Sequence, residues 1–377
     1  MLVRQYSIQG SEDFSKVDPG FSPDLFLLYV SPGFAQIRDL VQYLGEKFPG
    51  AVRLGCSTSG EIYGENVGDD SVSLTAISFK STKLKLVSVP LEDSSSSFGA
   101  GKELIQQLDQ DGLKHVLVLS DGLNVNGADL VLGLREELPS GVSVTGGLAG
   151  DGADFGNTFV VVGDQVGDQM VGAVGFYGEK LSIGYGSVGG WDSFGMEREV
   201  TRSEANVLFE LDGRPALEVY KSFLGDKASG LPGTGLLFPL SVRLSADTPP
   251  VVRTILAVNE EDQSLTFAGN IPQGSYVRLM KANFDRLIDG AGKSGDISMR
   301  PLDNKQADLA ILISCVGRRL VLKQMVEEEI EAVREVIGDS PAITGFYSYG
   351  EIAPFEEFAP CQLHNQTMTV TTFREED

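Results

Sequence analysis

The sequence contains few of the residues that build disulfide frameworks or metal sites. Among its 377 residues there are only three cysteines and two histidines. A structural zinc site needs about four such ligands, and Cys56, Cys315 and Cys361 are too far apart in sequence for a disulfide framework. We therefore expect reduced, partly buried thiols and no structural zinc.

Long apolar segments are missing as well. No run reaches the roughly 18 apolar residues that a membrane-spanning helix needs. The first residues, MLVRQYSIQGSEDFS, lack the apolar core of a signal peptide. The sequence therefore predicts a cytoplasmic protein that does not act at a membrane.

Basic residues are scarce relative to acidic ones. The chain has 30 Lys and Arg against 53 Asp and Glu, which gives a formal net charge of -23. A protein that binds a phosphate backbone needs a basic face. We therefore exclude nucleic acid and anionic membrane as expected partners.

A repeated pattern is present instead. It consists of an apolar strand, a short turn, a helix with one apolar stripe, a second apolar strand, a glycine-rich turn and an alternating strand. Copies begin near Asp24, His115 and Asp308. Such strand-helix-strand crossovers are right-handed and parallel, and alternation is typical of a sheet with one polar face. We predict an α/β fold of repeated β-α-β units, with mixed, layered sheets covered by helices.

The length predicts two modules, because 377 residues exceed one ordinary core. The composition changes between the second and third copies, where Gly172 to Val200 is glycine-rich and reads as antiparallel strands. We accordingly divide the chain into a lead-in, residues 1–23, and two modules, residues 24–208 and 209–377.

The glycine-rich turns carry acids. Gly-Glu-Ile occurs twice, with Glu61 and Glu351, and we interpret Asp151 as the equivalent acid of the second copy, followed by NTFVVVG as its alternating strand. Glu61 and Glu351 can form an acid-base dyad or can hydrogen-bond within their own turns. The third acid favours the structural interpretation.

The third copy differs from the others in an aromatic pair, Tyr347 and Tyr349, and in an insert, Ala353 to Asn365, with Cys361 and His364. His364 is either a hydrogen-bonded structural residue or a ligand, since imidazole is a good axial ligand for haem iron. His115, at the start of an apolar strand, is interpreted as structural.

Several segments together resemble the FIST family, whose members consist of an N-terminal and a C-terminal FIST module. These segments are GCSTSGEI (55–62), GRPALEVYKSFLG (213–225), GFYSYGEIAP (345–354) and CQLHNQTMT (361–369). The resemblance implies a sensory, ligand-binding protein that is not an enzyme. Stand-alone members of the NosP type bind haem, sense nitric oxide and act on a partner histidine kinase or cyclic-di-GMP enzyme. Because the chain shows no kinase, cyclase or methyl-accepting segment, we expect a separate signalling protein as its partner.

Three hypotheses about the site follow. In the first, the cofactor is haem, His364 is the metal ligand and nitric oxide is the signal. In the second, an amino acid or other small metabolite is held by turn amides, Arg318 and the two tyrosines. In the third, Cys361 and His364 serve a Cys-dependent enzyme; a pure interaction scaffold is also open. The candidate cofactor-binding residues are His364, Tyr347, Tyr349, Cys361, Arg318 and Glu351.

Overall fold

The computed structural model describes residues 1–243, 245, 250–303, 305–354 and 359–376. Residues 355–358 of the expected insert lie outside this described part. The chain forms three copies of one structural unit, which we call repeats 1, 2 and 3, and one module that interrupts repeat 3. None of the helices in the described ranges is long and apolar enough to cross a membrane.

Repeats 1 and 2 occupy the first half of the chain. Repeat 1 consists of β1 (Leu2–Ile8), β2 (Leu25–Val30), α1 (Ile37–Lys47), β3 (Val52–Ser57), β4 (Glu61–Tyr63), β5 (Asn66–Gly68) and β6 (Val72–Ser78). Repeat 2 consists of β7 (Lys83–Pro90), α2 (Ser97–Gln106), β8 (Leu113–Ser120), α3 (Gly127–Glu137), β9 (Ser143–Leu148), β10 (Val160–Val162), β11 (Gln165–Gly167) and β12 (Met170–Tyr177).

Repeat 3 starts with β13 (Leu181–Val188) and is interrupted by the inserted module. The module consists of β14 (Asp192–Glu204), β15 (Val207–Leu211), β16 (Arg214–Pro215), α4 (Ala216–Leu224), β17 (Leu240–Arg243), β18 (Val251–Arg253), β19 (Ile255–Asn259), β20 (Ser264–Phe267) and β21 (Tyr276–Lys281). Repeat 3 then resumes with α5 (Phe284–Met299), β22 (Leu309–Cys315), α6 (Val316–Leu322), α7 (Val326–Ile337), β23 (Ala342–Ser348), β24 (Gly350–Pro354), β25 (Cys361–His364) and β26 (Met368–Glu375).

Each repeat builds a six-stranded sheet with the same strand order. The three orders are β1-β6-β2-β3-β10-β11, β7-β12-β8-β9-β24-β25 and β13-β26-β22-β23-β4-β5. In each sheet, the two strands on either side of a crossover helix are parallel, as predicted for β-α-β units. These pairs are β2 and β3, β8 and β9, and β22 and β23. The last two strands always come from another repeat. The hairpin β4-β5 joins the sheet of repeat 3, β10-β11 joins that of repeat 1, and β24-β25 joins that of repeat 2.

The three sheets face one another around a common core, and helices cover their outer faces. Period-2 alternation divides each strand between these layers. In β2, Leu25, Leu27 and Tyr29 face the common core, whereas Phe26 and Leu28 pack on the side of α1. The predicted apolar stripe of α1, Ile37, Leu40, Val41 and Leu44, is buried. The predicted α/β class with mixed sheets covered by helices is confirmed.

Three equivalent glycines permit the parallel strands to approach. A Cβ atom on Gly55, Gly146 or Gly345 would lie 2.3, 1.9 or 1.8 Å from a carbonyl oxygen of the neighbouring parallel strand. Gly146 and Gly345 also have positive φ angles of 156° and 159°. Only glycine meets both conditions without strain, which explains why the motifs ahead of the turns begin with glycine.

The predicted equivalence of Asp151 with Glu61 and Glu351 is wrong. The hairpin of repeat 2 begins at Val160, where that of repeat 1 begins at Glu61. Asp151 lies earlier, in a longer connection, residues 149–159, which we call the repeat 2 loop. The segment NTFVVVG forms the first strand of this hairpin, and the long final strand is β12.

Two further boundaries can be compared with the structure. Residues 1–23 contribute β1, an edge strand that pairs with β6, so part of the lead-in belongs to the first sheet. The expected division between residues 208 and 209 falls inside β15.

Candidate functional site

The three glycine-rich turns meet at one end of the molecule. Backbone hydrogen bonds link them in a ring: Ser59 N donates to Tyr347 O (2.8 Å), Gly150 N to Ser57 O (3.0 Å) and Tyr349 N to Leu148 O (3.2 Å). Each turn thus donates one bond and accepts one. The ring collects the carboxyl ends of the parallel strands, which is where α/β proteins usually bind ligands.

Two of the turns bury an acid among hydroxyl groups. Glu61 accepts hydrogen bonds from Thr58 Oγ1 (2.5 Å) and Ser71 Oγ (3.0 Å). Burial raises the pKa of Glu61 to about 7, although both hydroxyl groups act in the opposite direction. The carboxyl is held within its own repeat, as the structural interpretation predicts.

Glu351 has the equivalent environment in repeat 3. It accepts from Ser348 Oγ (2.8 Å) and from Thr367 Oγ1 (2.9 Å) and N (3.1 Å). Burial raises its pKa to about 8. Each acid is satisfied by local donors, and neither bonds to the other.

Next to the ring lies a cavity of about 240 Å³, which we call the rim cavity. It is bounded by the strand ends of repeats 2 and 3 on one side and by the inserted module on the other. Its lining residues are Gly122, Leu123, Val125, Asn126, Gly127, Leu148 and Phe155 of repeat 2, Cys315, Val316 and Tyr349 of repeat 3, and Asn206, Leu236, Thr254, Leu256, Phe267, Ala268 and Gly269 of the inserted module.

An aromatic pair forms one wall of the rim cavity. The rings of Phe155 and Tyr349 are stacked, with centroids 4.7 Å apart and planes at 16°. The Tyr349 hydroxyl donates to Asp151, which also accepts from the amides of Phe155 (2.9 Å), Gly156 (2.7 Å) and Asn157 (2.7 Å). Asp151 therefore holds the repeat 2 loop against Tyr349 and fixes the orientation of this wall.

Thr254 brings an unpaired hydroxyl group to the opposite wall. The residue is 4 % exposed, and its Oγ1 atom has no hydrogen-bond partner among the described residues. Buried polar groups are nearly always paired, and an exception calls for an explanation such as a water molecule or a ligand. Thr254 thus lines the cavity and carries a hydroxyl group whose hydrogen-bonding capacity is unused.

Asp121 and Asn126 shape the repeat 2 side of the cavity. Asp121 accepts from Leu123 N (2.7 Å), Asn124 N (3.0 Å) and Thr158 Oγ1 (2.9 Å). Burial acts to raise the pKa of Asp121, but these amide bonds prevail and hold it below its usual value. Asn126 caps α3 by accepting from its first amides. These bonds fix the loop that follows β8.

Arg318 and Tyr347 lie elsewhere, in a closed network. Arg318 binds Glu329 through Nε (2.9 Å) and Nη2 (2.7 Å), and Tyr347 donates to the other oxygen of Glu329 (2.6 Å). Arg318 also donates to the carbonyl groups of Gly189 and Leu287. All three guanidinium nitrogens join α6 and α7 to the entrance of the inserted module, and neither Arg318 nor Tyr347 lines the rim cavity.

Cys361 and His364 do not form a dyad. Along β25, Cys361 and Leu363 pack into the core beneath α3, whereas His364 is an odd number of residues away and points to the opposite face. Burial raises the pKa of the Cys361 thiol to about 12 and lowers that of His364 to about 4. Both shifts oppose thiolate and imidazolium formation.

The surroundings of His364 do not fit haem. The ring is 1 % exposed, and its Nε2 donates to the Ala353 carbonyl group at 2.9 Å. The residue does not line the rim cavity. Cys361 lines a separate cavity of about 590 Å³, together with Lys114 and Arg135. An axial bond would require His364 to leave its present site.

Among the candidate residues, therefore, only Tyr349 lines the rim cavity. Sequence reasoning missed Thr254, Phe155 and Asn126. The signal that points to Phe155 is an alignment of VVVGDQVGDQMV with EIYGENVGDDSV, because it exposes the repeat 2 loop as an insertion. Thr254 carries no such signal. In the described ranges no three His, Cys, Asp or Glu residues are grouped to hold a metal ion.

The fold and the cavity define an α/β protein with a cleft between its three repeats and the inserted module. The family model for the FIST N domain matches residues 24–214, and that for the FIST C domain matches residues 216–354. The chain belongs to the FIST family. FIST domains are generally sensory, ligand-binding domains.

Individual relatives add little about function. The uncharacterized protein MJ1623 of Methanocaldococcus jannaschii is 25 % identical over 341 residues, which cover 79 % of this chain and 63 % of that protein. The chain thus spans less than two thirds of the length of this relative. A cyanuric acid hydrolase from A. caulinodans aligns over 100 % of this chain and 99 % of its own, with 8 % identity and a TM-score of 0.36. Such a low score supports no argument.

Proposed function

We propose that this protein is a sensor that binds a small molecule in the rim cavity and regulates a separate signalling protein. The observation that carries the proposal is a concave site between the repeats and the inserted module, beside the ends of parallel strands, which is lined by uncharged polar and apolar residues and by the stacked rings of Phe155 and Tyr349. Binding sites are typically concave, mostly apolar and equipped with a few polar groups. The generally sensory role of FIST domains supports the same function.

The size of the cavity favours a small metabolite. Its volume of about 240 Å³ lies below the range of roughly 300–1,000 Å³ that holds drug-sized ligands. A small metabolite is therefore favoured over haem as the ligand. Its contacts differ from those predicted from the sequence. Tyr349 remains a contact, while Arg318 and Tyr347 are engaged by Glu329.

Regulation can follow from the position of the cavity. A ligand in the cavity contacts both the inserted module and the strand ends of repeats 2 and 3. It therefore binds preferentially to the conformation in which the module lies against these strand ends, and it stabilises that conformation. We propose a histidine kinase or a cyclic-di-GMP enzyme as the class of partner that reads this change. Pull-down of these enzymes with and without ligand tests the partner.

Haem binding and nitric oxide sensing remain predictions of the resemblance to NosP-type members, and the buried, hydrogen-bonded His364 does not support them. An absorption spectrum after haem reconstitution tests this hypothesis separately. We expect no Soret band that differs between the original protein and the His364→Ala variant. A band that this variant loses would restore the haem hypothesis.

We also propose that the protein is not an enzyme. The burial of Cys361 and the high pKa of its thiol, about 12, support it, because the thiolate is the nucleophile. In the folded protein at pH 7.5, we expect iodoacetamide to alkylate Cys361 no faster than Cys56, which is also buried. Rapid, selective alkylation of Cys361 would favour the enzyme hypothesis.

A variant that fills the cavity tests the ligand site. Ala268 lines the cavity and is partly buried, whereas Ala257 is exposed on the neighbouring strand β19. We expect metabolites that raise the melting temperature of the original protein to lose this effect in Ala268→Phe and to keep it in the matched Ala257→Phe. A ligand at a hundred times its Kd stabilises by about 2.7 kcal/mol, which a thermal scan resolves. Equal binding by both variants would exclude the rim cavity.

A further inference from the structure

We propose that the ligand of the rim cavity is an uncharged ring compound with one hydrogen-bonding substituent, such as an amide or a hydroxyl group. This inference rests on the proposed function and specifies its ligand class. Three observations support the proposed ligand class: the described lining has no charged side chain, neighbouring donors are already hydrogen-bonded, and two stacked rings form one wall.

The lining contains no side chain that could neutralise a charged ligand. None of the described residues around the cavity is Asp, Glu, Lys, Arg or His. Moving a charge from water into such surroundings is costly unless an opposite charge and hydrogen bonds compensate. A carboxylate, an ammonium group or a zwitterion would lose its hydration without gaining a partner.

Two charged groups that adjoin lining residues are already satisfied. Asp151 accepts from Tyr349 and from three backbone amides. Arg253 is 7 % exposed and donates to the carbonyl groups of Asn270 (3.3 Å) and Leu363 (3.0 Å). Recruiting either group for a ligand would break these bonds and leave their partners unsatisfied.

Three backbone amides beside the cavity are engaged as well. Asn126 Oδ1 occupies the amides of Ala128 (3.1 Å) and Asp129 (3.2 Å) at the start of α3. The amide of Gly122 donates to Thr158 Oγ1 at 3.1 Å. On the repeat 2 side of the cavity, an anion would have to displace these bonds.

The groups that remain suit a neutral ring. The stacked rings of Phe155 and Tyr349 give an aromatic wall, on which another ring can pack in offset or edge-to-face geometry. The Thr254 hydroxyl is unpaired and can donate one hydrogen bond and accept others, so we infer that it turns toward an amide or hydroxyl substituent of a bound ligand. The combination favours a flat apolar body with one polar group.

A panel of matched probes tests the ligand class. Benzamide, benzyl alcohol, benzoate, benzylammonium and L-phenylalanine share a phenyl ring and differ in charge. Their binding is measured by saturation-transfer NMR titration on the original protein, Ala268→Phe and Ala257→Phe. We expect a neutral probe to bind at least tenfold more tightly than every charged probe, and Ala268→Phe alone to abolish its binding.

The outcomes separate the two proposals. If a charged probe binds as tightly as the neutral ones and Ala268→Phe abolishes that binding, the ligand class is wrong and the proposed site stands. If no probe shows binding that depends on Ala268→Phe, the proposed function is overturned together with the ligand class. Thr254→Val adds an independent readout, because we expect it to weaken benzamide at least threefold while the melting temperature of the free protein changes little.

Discussion

Repeats 1 and 3 each bury a carboxyl group and its two hydroxyl partners beside the ring of turns. Repeat 2 has apolar side chains at the three equivalent positions. The equivalent sets are Thr58, Glu61 and Ser71; Ser348, Glu351 and Thr367; and Ala149, Val160 and Met170. All three turns nevertheless form the same backbone hydrogen bonds. The acid is therefore not needed to form the turn.

The difference between the repeats also locates the candidate site. Repeat 2 has Val160 at the position of Glu61 and Glu351, and its longer loop, residues 149–159, carries the buried Asp151 and brings Phe155 to the rim cavity. Repeat 3 is likewise altered, by the inserted module that supplies Thr254. The cavity thus lies between the two segments that the repeats do not share, the repeat 2 loop and the inserted module. The strands and helices that all three repeats share form the scaffold.

Placing the acid in repeat 2 should have the largest effect. Val160→Glu would bury a carboxyl group in the common core, without the hydroxyl partners that Glu61 has. We expect a loss of about 3–5 kcal/mol in the free energy of unfolding at pH 8, or failure to fold. Urea unfolding followed by circular dichroism measures it.

A rescue variant controls for general disruption at this position. Ala149→Ser and Met170→Thr, added to Val160→Glu, recreate the partners found in repeats 1 and 3. They should recover part of the loss. If Val160→Glu alone leaves the urea midpoint unchanged, repeat 2 tolerates an acid at this position as repeats 1 and 3 do, and the prediction is wrong.

Removing an acid from repeat 3 should have the next largest effect. Glu351→Ala removes the acceptor of the Thr367 amide and hydroxyl groups in a buried site, and we expect a loss of about 2–3 kcal/mol at pH 6. Glu351→Gln keeps an acceptor and should cost less. Equal losses in both variants would show that size rather than hydrogen bonding controls the site.

The buried acids also predict a dependence of stability on pH. Burial raises the pKa of Glu61 to about 7 and that of Glu351 to about 8, so the folded state holds protons that the unfolded state has released. His115 and His364, with pKa values lowered to about 3 and 4, act in the opposite direction, mainly below about pH 7, where the unfolded imidazoles take up protons. Stability should therefore fall as pH rises from 6.5 to 8, by on the order of 1–2 kcal/mol.

Variants separate this effect from other titrations. In the double variant Glu61→Gln, Glu351→Gln, thermal scans between pH 6.5 and 8 should show a flatter profile than in the original protein. Val160→Gln in repeat 2 removes no acid and is the matched control. A slope that persists in the double variant would assign the pH dependence to other groups.

The smallest effect on stability should come from the repeat 2 loop itself. Phe155 is 40 % exposed, so Phe155→Ala should cost less than about 1 kcal/mol in unfolding free energy. Because its ring forms part of the aromatic wall, the same change should weaken ligand binding at least tenfold by calorimetry. Phe98→Ala, which removes a similarly exposed ring from α2, should leave binding unaltered.

The strands and helices of the repeats could be predicted from the sequence because their signals are local. The stripe Ile37, Leu40, Val41 and Leu44 has helical spacing, and runs such as Leu25–Val30 have the length and composition of buried strands. The exchange of hairpins could not be predicted. The strand Glu61–Tyr63 is too short to carry a period, and its partner in β23 is more than 280 residues away along the chain.

The candidate site was less predictable than the fold. Tyr349 was identified from the motif that contains it, but Arg318 and His364 gave the same kind of signal and are buried in structural networks. A polar residue in a motif does not reveal whether it is already paired. Thr254 illustrates the converse, since its importance arises only from the absence of a partner in the described structure.

The exchange of hairpins has a consequence for how the protein can be divided. The FIST N domain, residues 24–214, contains β4 and β5, yet these strands complete the sheet of repeat 3 by pairing with β23, which lies in the FIST C domain. Conversely, β24 and β25 complete the sheet of repeat 2. Expressed separately, each half would present an unpaired hairpin and an open sheet edge, which promotes aggregation. The two family domains are thus units of sequence, and the cycle of three repeats is the unit of folding.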